Sequence, residues 1–496
     1  MIYHINVNIG RQLTGIESAA IQRHKLLKQD TNSRLITIRF NHNLKENMLL
    51  YGLNTDDYIN MYDFFQEATV VEKRPKVSLA DLFPETSYTI NRVSNINDYR
   101  IFQKDQYIAY AHLNEDQMLS YINYFDAEGK KRKRHLYDSR GFLSRESLLD
   151  DDQKVLSETY FSPKGKTCLE KVNHYDQNKV ETEIRIHHKK QKLCLKNEED
   201  LITLFLDELL TNQDVAISDK NVLVAASLLK ATKVGKRIAI LHSKHYSGFD
   251  PKIGNISGVY KEVFNHLDQF DSIVCSTERQ RNDLVTRFGN ENKFVCIPVG
   301  IRKDIRKKRA ILKQDITIRL GVVARYYAEK RLDHVIKAFK KVHSLIPNTE
   351  LHLFGFGDAR ERFKTEKELI RLTKQLNLSE AVKFRGYLVE LDDEYKKMHA
   401  ILLTSSYEGF CLALLEGISY GIPAISYDIN YGPKEMIDSG TSGYLVTNGC
   451  IEELADKVIE TVSDPSEYAA FSKRSFDKSK DFSKEIIKNK WNQLII

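Results

Sequence analysis

The chain has 496 residues, of which 42% are hydrophobic and 29% are charged, and its formal net charge is +7. This length predicts roughly two to four domains, because a single hydrophobic core does not grow that large. The sequence contains no long apolar run and does not begin with a basic segment followed by an apolar one, so it predicts neither a membrane span nor export. Six scattered cysteines without a C-x-x-C pair argue against a disulfide scaffold or a zinc site and favour the cytoplasm.

The positive charges of the chain are clustered, and such runs can hold a polyanion at low salt. The alternative is that they are solvated loops and hairpin faces. Few aromatic residues lie inside them, which argues against a surface that stacks nucleic-acid bases. The three runs are KKRKR from Lys130 to Arg134, HHKKQK from His187 and RKDIRKKR from Arg302.

The first residues predict an alternating α/β domain, since the strand-like IYHINV is followed by the helix-like IESAAIQRHKLLKQ and the strand-like SRLITIRF. From about Ser78 to Ile186 the sequence becomes polar and β-rich. Within it, apolar residues recur every 12 positions, each followed by Asp or Ser, at Phe125, Tyr137, Leu149 and Phe161. This spacing predicts a meander of short antiparallel strands inserted into the first domain.

The α/β alternation resumes at Leu201, and a second series starts with ITIRLGVVAR after a basic linker from Arg302. We therefore predict the α/β class, with two Rossmann-like domains and an antiparallel β-sheet inserted in the first. The last segment is amphipathic and is expected to pack back on the N-terminal domain. The predicted bounds are 1–77 with 187–301 for the first domain, 78–186 for the insert, 302–478 for the second domain and 479–496 for the terminal helix.

Two glutamates form the strongest pattern of the second α/β series. Glu408 follows the strand AILLTSS, and Glu416 stands eight residues later on the next helix. A strand-to-helix loop opens at the carboxyl edge of a parallel sheet, where open α/β folds bind ligands. The helix that begins there offers backbone N–H groups to a diphosphate.

Two cations accompany this pattern. Arg325 and Lys330 stand just after a strand in GVVARYYAEKRLD and can neutralise the charge of a departing nucleoside diphosphate. The segment GFGD from Gly355 to Asp358 lacks the third glycine of a phosphate loop and predicts a tight turn.

The segments from Gly321 to Asp333 and from Glu408 to Glu416 resemble the family-4 retaining glycosyltransferases of the GT-B fold, with their Arg/Lys phosphate clamp and E-x7-E motif. The resemblance covers roughly residues 230–475 and extends to GIESAAIQR and to the β-rich insert. The insert and SYDINYGPKEMI are similar to a bacterial subgroup that modifies cell-surface material. It includes the accessory-secretion and Ser-Asp-repeat adhesin glycosyltransferases and a wall-teichoic-acid N-acetylglucosamine transferase.

The resemblance implies a role for each matching residue. Arg325 and Lys330 would bind the diphosphate, Glu416 the ribose hydroxyls, and Glu408 the donor sugar near its reacting face. The sugar and phosphate would also be held by backbone groups of Gly409, Phe410, Cys411 and Leu412.

His242, at the end of the strand RIAILHS, matches the family histidine that faces the sugar; His245 is the alternative because HSKH contains two histidines. Gly15 matches a glycine that lets the phosphates approach closely. Each has a purely structural alternative, since His242 can be a satisfied strand-end residue and Gly15 a turn or cap residue.

The resemblance implies transfer of N-acetylglucosamine from UDP-N-acetylglucosamine to serine hydroxyls of an acidic Ser-rich or Ser-Asp-repeat protein. The charge of the basic run predicts an acceptor contact, formed by Lys130, Lys131, Arg132, Lys133 and Arg134. No D-x-D pair follows a strand in the expected place, so the reaction is predicted to need no metal and no cofactor. The alternatives are transfer to wall teichoic acid and a non-catalytic acceptor-binding partner, whereas a nucleic-acid partner is not expected. A cytoplasmic location is predicted, and peripheral association with the inner membrane face, a homo-oligomer and a paired subunit are left open.

Overall fold

A computed structural model describes residues 1–71, 77–176, 179–189, 191–300 and 316–495. By internal contacts the chain divides into one unit of Met1–Leu13 with Thr31–Arg237 and a second unit of Thr14–Asp30 with Ile238–Ile496. The basic linker predicted from Arg302 lies outside the described residues up to position 315. No helix within the described ranges is both long and apolar enough to cross a membrane.

The chain opens with short parallel strands and helices. All five residues of the first strand are buried, as expected for a parallel strand covered on both faces. The elements in order are β1 (Ile2–Asn6), α1 (Gly15–Leu27), β2 (Ser33–Thr37), α2 (Leu44–Leu50), β3 (Tyr58–Asn60), α3 (Met61–Phe65) and α4 (Leu79–Leu82).

A ten-stranded antiparallel sheet follows, in which every strand pairs with its neighbours in sequence. This confirms the predicted β meander. Its strands are β4 (Thr89–Arg92), β5 (Asp98–Gln103), β6 (Gln106–Leu113), β7 (Leu119–Phe125), β8 (Lys131–Asp138), β9 (Phe142–Leu149), β10 (Val155–Phe161), β11 (Thr167–Asp176), β12 (Lys179–His188) and β13 (Gln191–Leu195).

The 12-residue spacing has a local cause. Each repeated apolar residue lies at or next to the end of a strand and is followed by a turn. The residue three positions after the first residue of the turn has a left-handed backbone. These residues are Gly129, Gly141, Gln153 and Gly165, with φ between +65° and +93°. The Asp or Ser that starts the turn caps it, as when Oδ1 of Asp126 accepts the backbone N–H of Lys130 at 2.8 Å. The repeat therefore records hairpin turns of one type.

The sheet extends nine residues beyond the predicted end at 186, since its last strand ends at Leu195. The 12-residue period stops at Phe161 because β11 and β12 have ten residues each. The sheet is fastened within the first unit by buried polar contacts. Arg140, in the β8–β9 turn, donates to Oδ1 of Asp63 on α3 at 2.7 Å, and the amide of Gln66 donates to the carbonyl of Ser144 at 2.9 Å.

The α/β alternation then resumes. In the first unit four parallel strands follow the order β14-β1-β2-β3, and in the second unit three follow the order β17-β16-β15. The elements are α5 (Glu198–Leu209), β14 (Val215–Ser218), α6 (Asn221–Lys230), β15 (Lys236–Leu241), α7 (Lys261–Asn265), β16 (Ser272–Cys275), α8 (Glu278–Phe288) and β17 (Phe294–Cys296).

The remaining elements build a six-stranded parallel sheet of order β20-β19-β18-β21-β22-β23. The chain leaves β18 toward one side of the sheet and later returns to pair β21 on its other side, so these two strands meet at a topological switch point. The elements are β18 (Ile318–Val323), α9 (Leu332–Leu345), β19 (Thr349–Phe354), α10 (Lys364–Gln375), β20 (Val382–Gly386), α11 (Asp392–Tyr395), β21 (Ala400–Leu403), α12 (Leu412–Ser419), β22 (Ala424–Tyr427), α13 (Pro433–Met436), β23 (Gly443–Val446), α14 (Ile451–Ser463), α15 (Pro465–Ser479) and α16 (Lys484–Ile495).

The last helix, α16, packs against N-terminal elements of the second unit. Trp491 is buried, and the guanidinium of Arg23 on α1 lies 5.2 Å from its ring centroid. A methyl group on Gly300 would come within 2.8 Å of the Ile487 side chain, so the chain after β17 runs closely over this helix.

Candidate active site

The loop after β18 carries both predicted cations at the switch point. The guanidinium of Arg325 lies 4.2 Å from the ring centroid of Tyr327 and 3.7 Å from the Glu329 carboxylate, with about a third of its side chain exposed. Lys330 stands at the end of a short 3-10 turn just before α9. The loop therefore keeps one half-exposed and one largely buried cation at the carboxyl edge of the sheet.

Lys330 and Glu408 form a buried ion pair across the switch point. Nζ of Lys330 donates to Oε1 of Glu408 at 2.6 Å, and only 16% and 13% of the two side chains are exposed. The hydroxyl of Ser405 donates to the same oxygen at 2.6 Å. Burial opposes the charge on Lys330, but the neighbouring carboxylate outweighs it and raises the pKa of the ammonium group. Lys330 is therefore a permanent cation at neutral pH.

Arg331 fastens the two loops and was not predicted. Its backbone is left-handed, with φ of +47°, which turns the side chain toward the loop after β21. There it donates to the carbonyls of Thr404 at 2.8 Å and Ser405 at 2.7 Å. Its position directly after Lys330 is the only sequence signal that marks it. These bonds hold the loop that carries Lys330 against the loop that carries Glu408.

The helix α12 begins inside the predicted motif. Cys411 adopts a left-handed conformation with φ of +74° and precedes the first helical residue, Leu412. The buried ring of Phe410 packs on Phe482 with centroids 5.6 Å apart. Glu416 follows one turn into the helix, and the hydroxyl of Tyr395 donates to its Oε2 at 2.9 Å. The motif thus places a helix N-terminus and a fixed carboxylate beside the Lys330–Glu408 pair.

Gly409 brings this loop against the segment that follows β15. A side chain at Gly409 would lie 2.2 Å from the carbonyl oxygen of His242 and 2.8 Å from the amide nitrogen of Ser243. Only glycine permits this approach. The backbone of the half-buried His242 is therefore a near neighbour of the Glu408 loop.

His245 lies in a different environment and is the weaker of the two histidine candidates. It has no exposed surface, and its Nε2 is 3.0 Å from the carbonyl of Pro251. Burial lowers its pKa, so the ring is neutral. A side chain enclosed by protein in this way cannot face a sugar, whereas His242 remains the predicted sugar-facing residue.

Gly15 is the first residue of α1, after the capping residue Thr14. A side chain built on it meets no atom of the described residues within 4 Å, apart from its chain neighbours and the helix's own backbone. Packing of the described residues therefore does not require glycine here. The close approach of a ligand to Gly15 stays a prediction.

The basic run in the first unit is largely neutralised by its neighbours. Arg132 lies 2.5 Å from Asp126 and 2.6 Å from Asp151, and Lys130 lies 3.4 Å from Asp151. The guanidinium of Arg134 stacks 4.6 Å from the ring of Tyr121. Lys133 pairs with Tyr124 and Lys131 with Phe125 on β7, and the register is irregular between these two pairs, so regular alternation does not place the two lysines on one face of β8. Nζ of Lys133 lies 4.7 Å from the ring centroid of Tyr124. The run is therefore not a uniform cationic patch.

The second unit also contains the GFGD segment and a concave surface. GFGD packs tightly, since a side chain on Gly355 would meet the carbonyl oxygen of Ala324 at 1.8 Å. A concave surface around Thr317, His343 and Thr349 lies at the amino ends of β18 and β19, away from the candidate site. In the described part of the chain, no group of three or more His, Cys, Asp or Glu side chains is arranged to hold a metal ion.

Comparison with known proteins assigns these residues to a family. Residues 302–478 match the model of the family Glycosyl transferases group 1, and residues 90–192 match the GtfB middle domain. The crystal structure of the pneumococcal O-GlcNAc transferase GtfA in complex with UDP and GlcNAc superposes with a TM-score of 0.84 at 20% identity, over all of this chain and 98% of that one.

The chain is a glycosyltransferase of the GT-B fold.

Two curated relatives cover nearly the whole of this glycosyltransferase. The poly(glycerol-phosphate) alpha-glucosyltransferase of Bacillus subtilis is 24% identical over 99% of this chain and 75% of its own length. The UDP-N-acetylglucosamine–peptide N-acetylglucosaminyltransferase GtfA subunit of Streptococcus agalactiae is 25% identical over 100% of this chain and 97% of its own. The recognised subgroup and the predicted fold are thereby confirmed. The roles of the individual site residues stay predictions.

The segment after β22 contacts the Glu408 loop through its backbone, although no role was predicted for it from the sequence. The amide of Tyr431 donates to the carbonyl of Glu408 at 2.9 Å, and the amide of Glu408 donates to the carbonyl of Asn430 at 3.2 Å. The Asn430–Tyr431 peptide bond is cis. The phrase SYDINYGPKEMI was the sequence signal for this segment.

Proposed function

We propose that this glycosyltransferase moves N-acetylglucosamine from UDP-N-acetylglucosamine to serine hydroxyls of an acidic Ser-rich or Ser-Asp-repeat surface protein, with retention at the anomeric carbon. The observation that carries the proposal is the Lys330–Glu408 pair at the switch point, next to the N-terminus of α12 and to His242. The donor and a peptide acceptor are those in the name of the S. agalactiae relative, and the acidic Ser-rich acceptor follows from the sequence resemblance.

In the proposed donor site, positive groups bind the diphosphate, and two carboxylates position the ribose and the sugar. Arg325, Lys330 and the backbone N–H groups at the start of α12 neutralise the diphosphate. Glu416, held by Tyr395, accepts hydrogen bonds from the ribose hydroxyls. Glu408 is already bound to Lys330 and Ser405, so it orients the sugar rather than acting as a nucleophile.

The proposed reaction needs no protein base. The serine oxygen attacks the anomeric carbon on the face that the diphosphate leaves; the new C–O bond forms as the sugar–phosphate bond breaks, and the serine proton passes to the departing phosphate oxygen. Stabilisation of the leaving diphosphate by Arg325 and Lys330 supports turnover without a divalent ion.

A second candidate is sugar transfer to an acidic polyol-phosphate polymer. The B. subtilis relative is named for such a polymer, and its 24% identity to this chain is almost the same as the 25% of the S. agalactiae relative. A third arrangement, a paired subunit, is supported by the word subunit in the name of the other relative. The paired acid–base contacts of the basic run do not discriminate between the two acidic acceptors.

The deciding experiment measures UDP release from UDP-N-acetylglucosamine in EDTA with a Ser-Asp-repeat polypeptide, a polyol-phosphate polymer or no acceptor, followed by mass spectrometry. We expect the peptide to gain one sugar mass per modified serine. Transfer to the polymer alone would replace the main proposal with the second candidate. Turnover that requires added Mg²⁺ or Mn²⁺ would refute the metal-independent step. Binding of the peptide without any turnover would identify an acceptor-binding partner.

A further inference from the structure

The segment Asn430–Gly432 is fastened to the Glu408 loop through its backbone. Its two amide–carbonyl bonds with Glu408 measure 2.9 and 3.2 Å. Gly432 has φ of +103°, and a side chain there would lie 2.1 Å from the carbonyl oxygen of Phe410. Any other residue would separate the two loops. The position of Glu408 is therefore tied to that of Tyr431.

The side chains of the same segment reach residues that follow β15 and lie on α8. The hydroxyl of Tyr431 donates to Oδ2 of Asp283 at 2.8 Å, and the amide of Asn430 donates to the hydroxyl of Tyr246 at 3.2 Å. The Tyr431 ring is 1% exposed and lies parallel to the ring of His245, with centroids 6.3 Å apart. Burial and the Asp283 charge raise the pKa of Tyr431, so the phenol remains a donor.

We propose that Tyr431 is a positioning residue that couples the placement of Glu408 to the segment bearing His242. This inference rests on the proposed function. A donor sugar held between Glu408 and His242 reacts only when both are placed within a fraction of an ångström, because misplacement by about 1 Å costs roughly a hundredfold in rate. Tyr431 bonds to Glu408 by its backbone and to Asp283 on α8 by its side chain. The side-chain amide of Gln280 on the same helix donates to the carbonyl of Ser243 at 2.9 Å, so α8 links Tyr431 to the segment that bears His242.

The test removes the side-chain contact from either end. Tyr431→Phe deletes only the hydroxyl, and Asp283→Ala deletes its acceptor. Tyr444→Phe is the matched control, because the Tyr444 hydroxyl also donates to a carboxylate, that of Glu460, within the C-terminal sheet and helices. We expect kcat to fall about tenfold in the first two variants with the KM for UDP-N-acetylglucosamine within about twofold, and the double variant to lose no more than either single one.

A second readout does not depend on turnover. Amide hydrogen exchange of the peptide containing Glu408 should rise about tenfold in Tyr431→Phe and stay unchanged in Tyr444→Phe. Unchanged kcat and exchange in both Tyr431→Phe and Asp283→Ala would overturn the inference, as would an equal loss in Tyr444→Phe. If the wild-type protein transfers no sugar, the proposed function fails, and the exchange measurement still decides the coupling. If Tyr431→Phe does not fold, Asp283→Ala breaks the same contact.

Discussion

Nζ of Lys330 lies 2.6 Å from Oε1 of Glu408, and this contact joins the loop after β18 to the loop after β21. Both side chains are mostly buried, and Ser405 donates to the same carboxylate oxygen. Removing one charge leaves the other desolvated without its partner, which in buried pairs is more costly than removing both. Stability and turnover should therefore respond differently to single and double substitutions.

Lys330→Met should lower kcat by about a hundredfold or more, because it removes positive charge from the leaving diphosphate. It should also lower the free energy of unfolding by about 3 kcal/mol, whereas the double variant Lys330→Met, Glu408→Gln should regain most of that stability but no activity. UDP release and denaturant unfolding measure the two effects. The control is Lys341→Met, which breaks exposed pairs with Glu452 and Asp456. Full activity in Lys330→Met would remove the donor-site proposal.

Glu416→Gln should raise the KM for the UDP-sugar by about tenfold or more with a smaller change in kcat, since a hydrogen bond to a charged group is worth about 1.5–3 kcal/mol. Tyr395→Phe removes the hydroxyl that holds Glu416 and should give a smaller effect in the same direction. Steady-state kinetics over a range of donor concentrations separates the two constants. A loss confined to kcat would argue against a ribose contact.

Gly15→Ala should leave stability unchanged and weaken donor binding, because the added methyl group meets no other atom of the described part of the chain but would meet an approaching phosphate. Gly258→Ala is the matched control, since a side chain there is equally free of protein contacts. Calorimetric binding of UDP and thermal unfolding of both variants make the comparison. Equal UDP affinity in the two would show that Gly15 is only a helix-start residue.

Lys131→Glu with Lys133→Glu should weaken binding of an acidic acceptor by about tenfold at low salt and reduce its salt dependence, because it reverses two of the positive charges of the basic run. Lys154→Glu, in the next hairpin, serves as the control. Acceptor affinity between low and high ionic strength is the measurement. If Lys154→Glu weakens acceptor binding as much as the double variant does, the effect comes from net charge alone. That result would contradict the assignment of the basic run to the acceptor.

We expect the protein to lose stability in mild acid because of the buried His399. It is 3% exposed, its Nδ1 accepts the amide of Arg319 at 3.0 Å, and burial lowers its pKa to about 4. The unfolded histidine, with a pKa near 6.5, binds a proton first as the pH falls, so stability decreases from about pH 6.5 to about pH 4 by roughly 2–3 kcal/mol for this group. His399→Asn retains an acceptor and should flatten the pH dependence of the unfolding free energy. An unchanged slope would contradict this assignment.

Local patterns in the sequence determined the two α/β series, the β meander and the central motif. The 12-residue repeat could be recognised in the sequence because each hairpin turn depends on its own Asp or Ser and its own left-handed residue, from Asp126 to Gly165. Arg325, Lys330, Glu408 and Glu416 were likewise marked by strand and helix boundaries that lie next to them in the sequence.

Contacts between residues far apart in the chain were decided only by the tertiary structure. The sequence could not separate His242 from His245, because their difference is the Pro251 carbonyl that fixes one and the Gly409 backbone that meets the other. Arg331 and Tyr431 stand in or beside segments that the sequence marked, but their contacts with the Glu408 loop were visible only in the fold, as were the aspartates that neutralise part of the basic run. Turns and helix starts depend on neighbours within a few residues of the same chain segment. Burial, ion pairing and the contacts between loops depend on which distant groups the fold brings within about 4 Å.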